Sequence, residues 1–173
     1  MEFTFETAYD QRATTVMAKA IRKTVRKKRS RRSHVFGIIV IILALFLTLP
    51  VGGEEFVFDF RVGVTWFVTA ILVLVMLFED KINGYVTKKR MLPGLDKATV
   101  TFREDGYHSE TAIGSSEFNY STVILIAETA DFFVFVFSQN HAQIYDKHSI
   151  TGGTVEEFRE FIKTVTGKEI QDV

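Results

Sequence analysis

The chain opens on a period of two. Glu2-Phe3-Thr4-Phe5-Glu6 alternates polar and apolar side chains, which predicts a short strand. The period then changes. Ala13, Val16, Met17, Ala20, Ile21, Thr24 and Val25 recur at helical spacing, while Arg12, Lys19, Arg22, Lys23 and Arg26 fall largely on other faces. That pattern predicts an amphipathic helix. Two uncharged runs follow, VFGIIVIILALFLTLPV over residues 35–51 and VGVTWFVTAILVLVMLF over residues 62–78, seventeen residues each. A helix of that length spans roughly 25 Å, close to what a bilayer core requires. The pattern predicts a two-helix transmembrane hairpin.

Beyond Pro93-Gly94 the chain reads as short strands. Ala98, Val100 and Phe102 alternate with Thr99, Thr101 and Arg103, and Glu104-Asp105-Gly106 carries the Asp-Gly signal of a hairpin turn. Strands are expected to return over residues 107–112, 115–119, 122–128, 131–138 and 141–146. The segment DFFVFVFS is apolar on both faces, so it is read as a central strand. A last helix is signalled by Thr154 with Glu157 three residues on, a capping box, and by the stripe Val155, Phe158, Phe161, Ile162 and Val165 ending at Gly167. The expected fold is an α+β membrane protein: the hairpin plus a small antiparallel barrel of pleckstrin-homology type, closed by the C-terminal helix. Phe3 and Phe5 offer a further strand to that barrel. The expected organisation is a strand and basic helix over 1–33, the hairpin over 34–79, a basic linker over 80–93 and the barrel domain over 94–173.

Charge sharpens this picture. The whole chain is neutral, with 21 Lys and Arg against 21 Asp and Glu. Residues 1–33 nevertheless hold ten basic and three acidic side chains, whereas residues 94–173 hold six basic and thirteen acidic ones. Basic clusters flank both outer ends of the apolar pair, and the connection, with Glu54, Glu55 and Asp59, is acidic. The positive-inside rule places both termini in the cytoplasm and the connection outside the plasma membrane. A cleaved leader is disfavoured because more than thirty residues precede the first run and a second run follows. Arg22, Lys23, Arg26, Lys27, Lys28, Arg29, Arg31 and Arg32 form the cluster expected to contact anionic lipid. No aromatic side chains interleave the arginines to stack on bases, so no nucleic-acid partner is expected.

The order of these segments resembles the YcxB-like family of bacterial membrane proteins. The resemblance is carried by FTFET before a helix and two apolar runs, by EDGYHSET, by NYSTVILIAETADFFVFVFSQNHAQIYDK and by TVEEFREFI. Tyr120 stands where the family often has Trp, and Asp146 where it often has Pro before Lys147. The resemblance implies a pleckstrin-homology-like cytoplasmic domain, and it brings no reaction and no catalytic residues.

Candidate chemistry is sparse. Cysteine is absent, which excludes disulfides and thiolate chemistry. His34, His108, His141 and His148 are scattered, with no metal-binding helix motif. Neither apolar run holds an ionisable residue to mark an ion pathway. Gly152-Gly153 precedes a helix N-terminus, but Thr154 caps that helix and Glu156 and Glu157 repel an anion. Glu156, Glu157 and Glu160 are expected on its wet face. No catalytic site, cofactor or metal is expected. The expected role is a membrane-anchored cytoplasmic module that binds a protein, a peptide or anionic lipid at the inner leaflet. The alternative is an accessory subunit of a transport or signalling complex, recognised through its apolar pair.

Overall fold

The computed structural model describes residues 2–50 and 55–173. Strand β1 (Phe3–Ala8) lies antiparallel to β2 (Lys97–Phe102), with Phe3 opposite Phe102 and Phe5 opposite Val100. The expected N-terminal strand therefore pairs with a partner some ninety residues away in sequence. Strands β3 (Tyr107–Thr111) and β4 (Gly114–Phe118) extend this sheet in the order β1-β2-β3-β4. The Asp-Gly turn closes as read, with Arg103 N–H donating to Gly106 O at 2.8 Å.

The second sheet holds β5 (Leu125–Glu128), β6 (Phe132–Val136), β7 (Ala142–Asp146) and β8 (Ile170–Asp172), ordered β7-β6-β5-β8. Strand β8 runs parallel to β5 and was not signalled by the sequence. Three residues without clear alternation carry too little pattern to announce a strand. Residues 120–122 form a short 3-10 turn, so β5 starts later than expected.

Strand β6 is buried at all five positions, and both of its faces have partners. Phe133 and Phe135 face an aromatic core with Phe3, Phe5, Phe102, Tyr107, Tyr145 and Phe158. Phe132, Val134 and Val136 face the other way, onto Ala13, Met17, Ala20 and Ile21 of α1 (Gln11–Lys23). The apolar stripe of α1 is thus spent on the back of the second sheet. Asp10 caps that helix, accepting from Ala13 N–H at 2.7 Å.

Helix α5 (Val155–Thr166) closes the aromatic core with Phe158 and Ile162. Its capping box between Thr154 and Glu157 forms as read, and Gly167 ends it in the left-handed region at φ 63°. Gly152, at φ 89°, lets the chain pass β1, since a Cβ there would stand 2.2 Å from Glu2 O.

Helix α2 (Lys27–Phe46) and helix α3 (Phe60–Leu77) lie side by side, with Gly37 against Met76 and Trp66 Nε1 donating to Thr48 Oγ1 at 3.3 Å. Helix α4 (Glu79–Arg90) occupies what was expected to be a linker. Its acidic first turn (Glu79, Asp80) and basic last turn (Lys88, Lys89, Arg90) complement the helix dipole. It packs on α1 at Gly84, where a Cβ would stand 2.7 Å from Thr15 N and Cα.

Two expectations are corrected. The two-helix transmembrane hairpin is not what folds: among the described residues one helix, Phe60–Leu77, is long and apolar enough to cross a bilayer. Helix α2 starts at Lys27, gives its first two turns to the basic cluster and ends at Phe46. Only its stretch from Val35 onward is apolar, roughly 18 Å of helix against a hydrocarbon core of about 30 Å. Its readings as an integral, two-span membrane protein go with it. The acidic connection was read partly from Glu54; that residue, Gly52, Gly53 and the last residue of the first run, Val51, lie outside the described residues. The barrel is corrected as well. The strands form two separate four-stranded sheets, and neither closes on itself. The fold is α+β, with an aromatic core between two open sheets.

Candidate functional site

Helix α2 changes character along its length, and that change positions the site. Its first turns carry Lys27, Lys28, Arg29, Arg31 and Arg32, and its later turns carry Val35, Phe36, Ile38, Ile42, Leu43 and Phe46. These apolar residues are exposed, as are most of those of α3. Phe36 is 68% exposed, Phe67 is 67% and Phe60 is 89%, and only 11% of the α3 span is covered by the rest of the chain. The two helices make an apolar arm, and the basic residues make a collar where the arm joins the body.

At that junction α1, α2 and α4 line an open cavity of about 640 Å³. Its wall carries four arginines, Arg22, Arg26, Arg29 and Arg90, against one carboxylate, Glu79. Ser30, Ser33, Asn83 and Asn140 supply further polar groups. The structure thus brings three of the eight predicted lipid-contact residues into one cavity. Arg22 is the most constrained of them. Its guanidinium donates to both oxygens of Asp80, at 2.6 and 2.7 Å, which raises its pKa further and fixes α1 to α4. Arg26 donates from its NH2 group to Asn140 Oδ1, leaving its Nε buried without a partner. The Ser30 hydroxyl is buried and unpartnered too. Lys23, Lys27, Lys28, Arg31 and Arg32 are exposed and lie outside the cavity lining. Arg90 was missed because the sequence reading placed it in a linker; the acidic start and basic finish of residues 79–90 were the available sign of a helix.

Glu79 is held from two sides. His34 Nε2 stands 2.9 Å from its carboxylate and Arg22 Nε stands 4.0 Å away, so α2 is tied to the start of α4. His108 faces Glu117 at 2.7 Å, its register partner on the neighbouring strand, and His148 faces Asp131 at 3.2 Å. The hydrogen bond from His148, with Arg12 beside it, holds the Asp131 carboxyl below its usual range. Among the described residues no group of three His, Asp or Glu side chains is placed to hold a metal.

The charge with the strongest structural role is Glu128, buried to 8% exposure. It accepts from Lys147 Nζ at 2.5 Å and from Arg159 at 2.7 and 3.1 Å, which ties β5 to α5 and to the turn that follows β7. Burial pushes its pKa up, but the hydrogen bonds from Arg159 and Lys147 outweigh that and leave it below the ordinary carboxylate value. The buried phenols of Tyr107 and Tyr145 both donate to Gln143 Oε1, at 3.1 and 2.7 Å, and burial raises both pKa values. Both rings belong to the aromatic core. Glu156, Glu157 and Glu160 are exposed on α5.

The segment from the end of β2 through β3, β4, β5, β6 and β7 to most of α5 is the part that the comparison with known families reaches. Residues 102–162 match the family model of the YcxB-like proteins. The resemblance read from the sequence holds over this segment. No curated protein and no solved structure matches the chain. The YcxB-like segment supplies most of the aromatic core, to which β1 adds Phe3 and Phe5, and the outer face on which α1 docks; the arm and the collar are built from residues before it, as is the cavity apart from Asn140. Its two departures are structural. Tyr120 Oη donates to Arg103 O at 2.6 Å, and Asp146 accepts from His148 N–H at 2.9 Å to start the turn after β7.

Proposed function

We propose that this chain is an interaction module held at a membrane surface by its apolar arm. The YcxB-like body would stand in the cytoplasm beside the anionic leaflet, presented to a protein or peptide partner. One observation carries the reading: large apolar side chains are exposed along both arm helices, immediately next to a collar of exposed basic residues. An exposed apolar surface of this extent marks an interaction with lipid or partner. The collar favours lipid, because Lys and Arg at the apolar boundary are drawn to anionic headgroups by about 1 kcal/mol each near the surface.

Vesicle flotation of the full chain tests it. The protein should float with vesicles of phosphatidylglycerol and phosphatidylcholine and remain bound in 1 M salt, since the arm rather than the collar supplies the larger share. A variant with Phe36, Ile42, Phe67 and Leu74 changed to Gln should bind at low salt and be released at high salt. Recovery of the unaltered chain in the vesicle-free fraction at low salt would overturn the reading.

A further inference from the structure

We propose that the cavity between α1, α2 and α4 binds a phosphate group. Its lining carries four arginines and a single glutamate. Glu79 is already engaged by His34 and Arg22, and Arg22 by Asp80, so these groups form the wall and leave the other arginines in excess. Arg26 has one end fixed by Asn140 while its Nε is buried and unsatisfied. Ser30 Oγ, on the first turn of α2, is buried and unsatisfied as well. Both atoms lie just behind the lining with almost no accessible surface, so an acceptor in the cavity would engage them through a turn of the Arg26 and Ser30 side chains. Arg29 and Arg90 reach the same cavity from α2 and α4, and no ion pair engages either of them among the described residues.

The chemistry of the donors selects the ligand. Guanidinium groups present paired N–H donors that match the oxygens of a phosphate, and a serine hydroxyl adds one more. A volume of about 640 Å³ takes a phosphate with a glycerol-sized substituent. Ser33 lines the cavity and Val35, two residues on, begins the apolar arm, so a bound phosphate would lie within a few ångströms of it along the helix. That placement accommodates the phosphodiester of a lipid headgroup as well as a soluble phosphomonoester. Only the lipid source rests on the membrane reading above; the phosphate site itself does not.

Calorimetry of the full chain in uncharged detergent tests the site without a bilayer, using inorganic phosphate, glycerol 3-phosphate, dioctanoyl phosphatidylglycerol and dioctanoyl phosphatidylcholine. At least one phosphate-bearing probe should bind saturably with one site per chain. The double variant Arg29→Gln/Arg90→Gln alters residues that make no ion pair and should weaken that binding about tenfold or more. Lys88→Gln/Lys89→Gln removes the same charge outside the cavity and should change it less than twofold. Ser30→Ala should weaken it while the chain melts at or above the temperature of the unaltered protein, since the change removes a buried unpaired hydroxyl. Tighter binding of the phosphatidylglycerol probe than of the soluble phosphates assigns the site to a headgroup, and the reverse assigns it to a free phosphate. Absence of saturable binding by every probe, or equal losses in the two double variants, would overturn the proposal. Flotation and calorimetry fail independently, since a chain that leaves the vesicles can still bind glycerol 3-phosphate.

Discussion

Phe5→Ala is the sharpest test of a body assembled from both ends of the chain. Phe5 is fully buried and meets Phe158 at 4.7 Å between ring centroids, Phe102 at 5.7 Å, Tyr145 at 5.9 Å and Phe133 at 6.4 Å. Its neighbours belong to both sheets and to α5, so a collapse into the vacated space would have to move three elements at once. Truncating a buried Phe in such a setting costs about 3–5 kcal/mol. For a chain of this size, about 4 kcal/mol corresponds to a fall in melting temperature of roughly 8–16 °C. Near-ultraviolet circular dichroism of the full chain in mild detergent reads this directly, because the core is aromatic. Glu6→Ala is the control on the same strand: its side chain is exposed and it should melt within about 0.5 kcal/mol of the unaltered chain. If the two variants melted together, β1 would not be part of the cooperative core. The split architecture would then be refuted.

The Glu128 cluster gives a pH prediction. Its folded pKa lies below the ordinary value of 4.5, so its stabilising contribution is full above that value and is lost as pH falls through the folded one. Glu128→Gln should cost about 3 kcal/mol at neutral pH, and the gap to the unaltered chain should narrow as the pH is taken below 4.5; a gap independent of pH would refute the ionised-cluster account. Gly84→Val should push α4 off α1, since even a Cβ would stand 2.7 Å from the Thr15 backbone. A cost of about 1–3 kcal/mol is expected, seen as faster amide exchange over residues 11–23, and unchanged exchange there would contradict the helix contact. Thr154→Ala removes the capping box and should cost about 1 kcal/mol, measured as a lower melting temperature; an unchanged melt would show that α5 does not depend on its cap.

Local signals were legible where the pattern is written in a few adjacent residues. The alternation at Phe3 and Phe5, the Asp-Gly turn, the doubly apolar β6 and the cap and stop of α5 all depend on backbone period and on short-range hydrogen bonds. The sequence therefore carried them unaided. The YcxB-like segment was legible for the same reason, because its motifs lie in order along one stretch of chain. Three matters were decided only in three dimensions. Counting uncharged residues gave two equal runs, but a helix begins where its backbone bonds begin, and α2 begins at Lys27 among charges. Closure of a barrel depends on how strand edges meet after twisting, which no run of side chains specifies, and here the edges stay apart in two sheets. The cavity is the third. Arg26 and Arg29 lie some sixty residues before Arg90, and the contact of α1 with α4 at Gly84 is what sets them around one space. The sequence determined that positive charge would gather beside the apolar arm; the packing of three helices decided which arginines are spent on carboxylates and which are left to hold an anion.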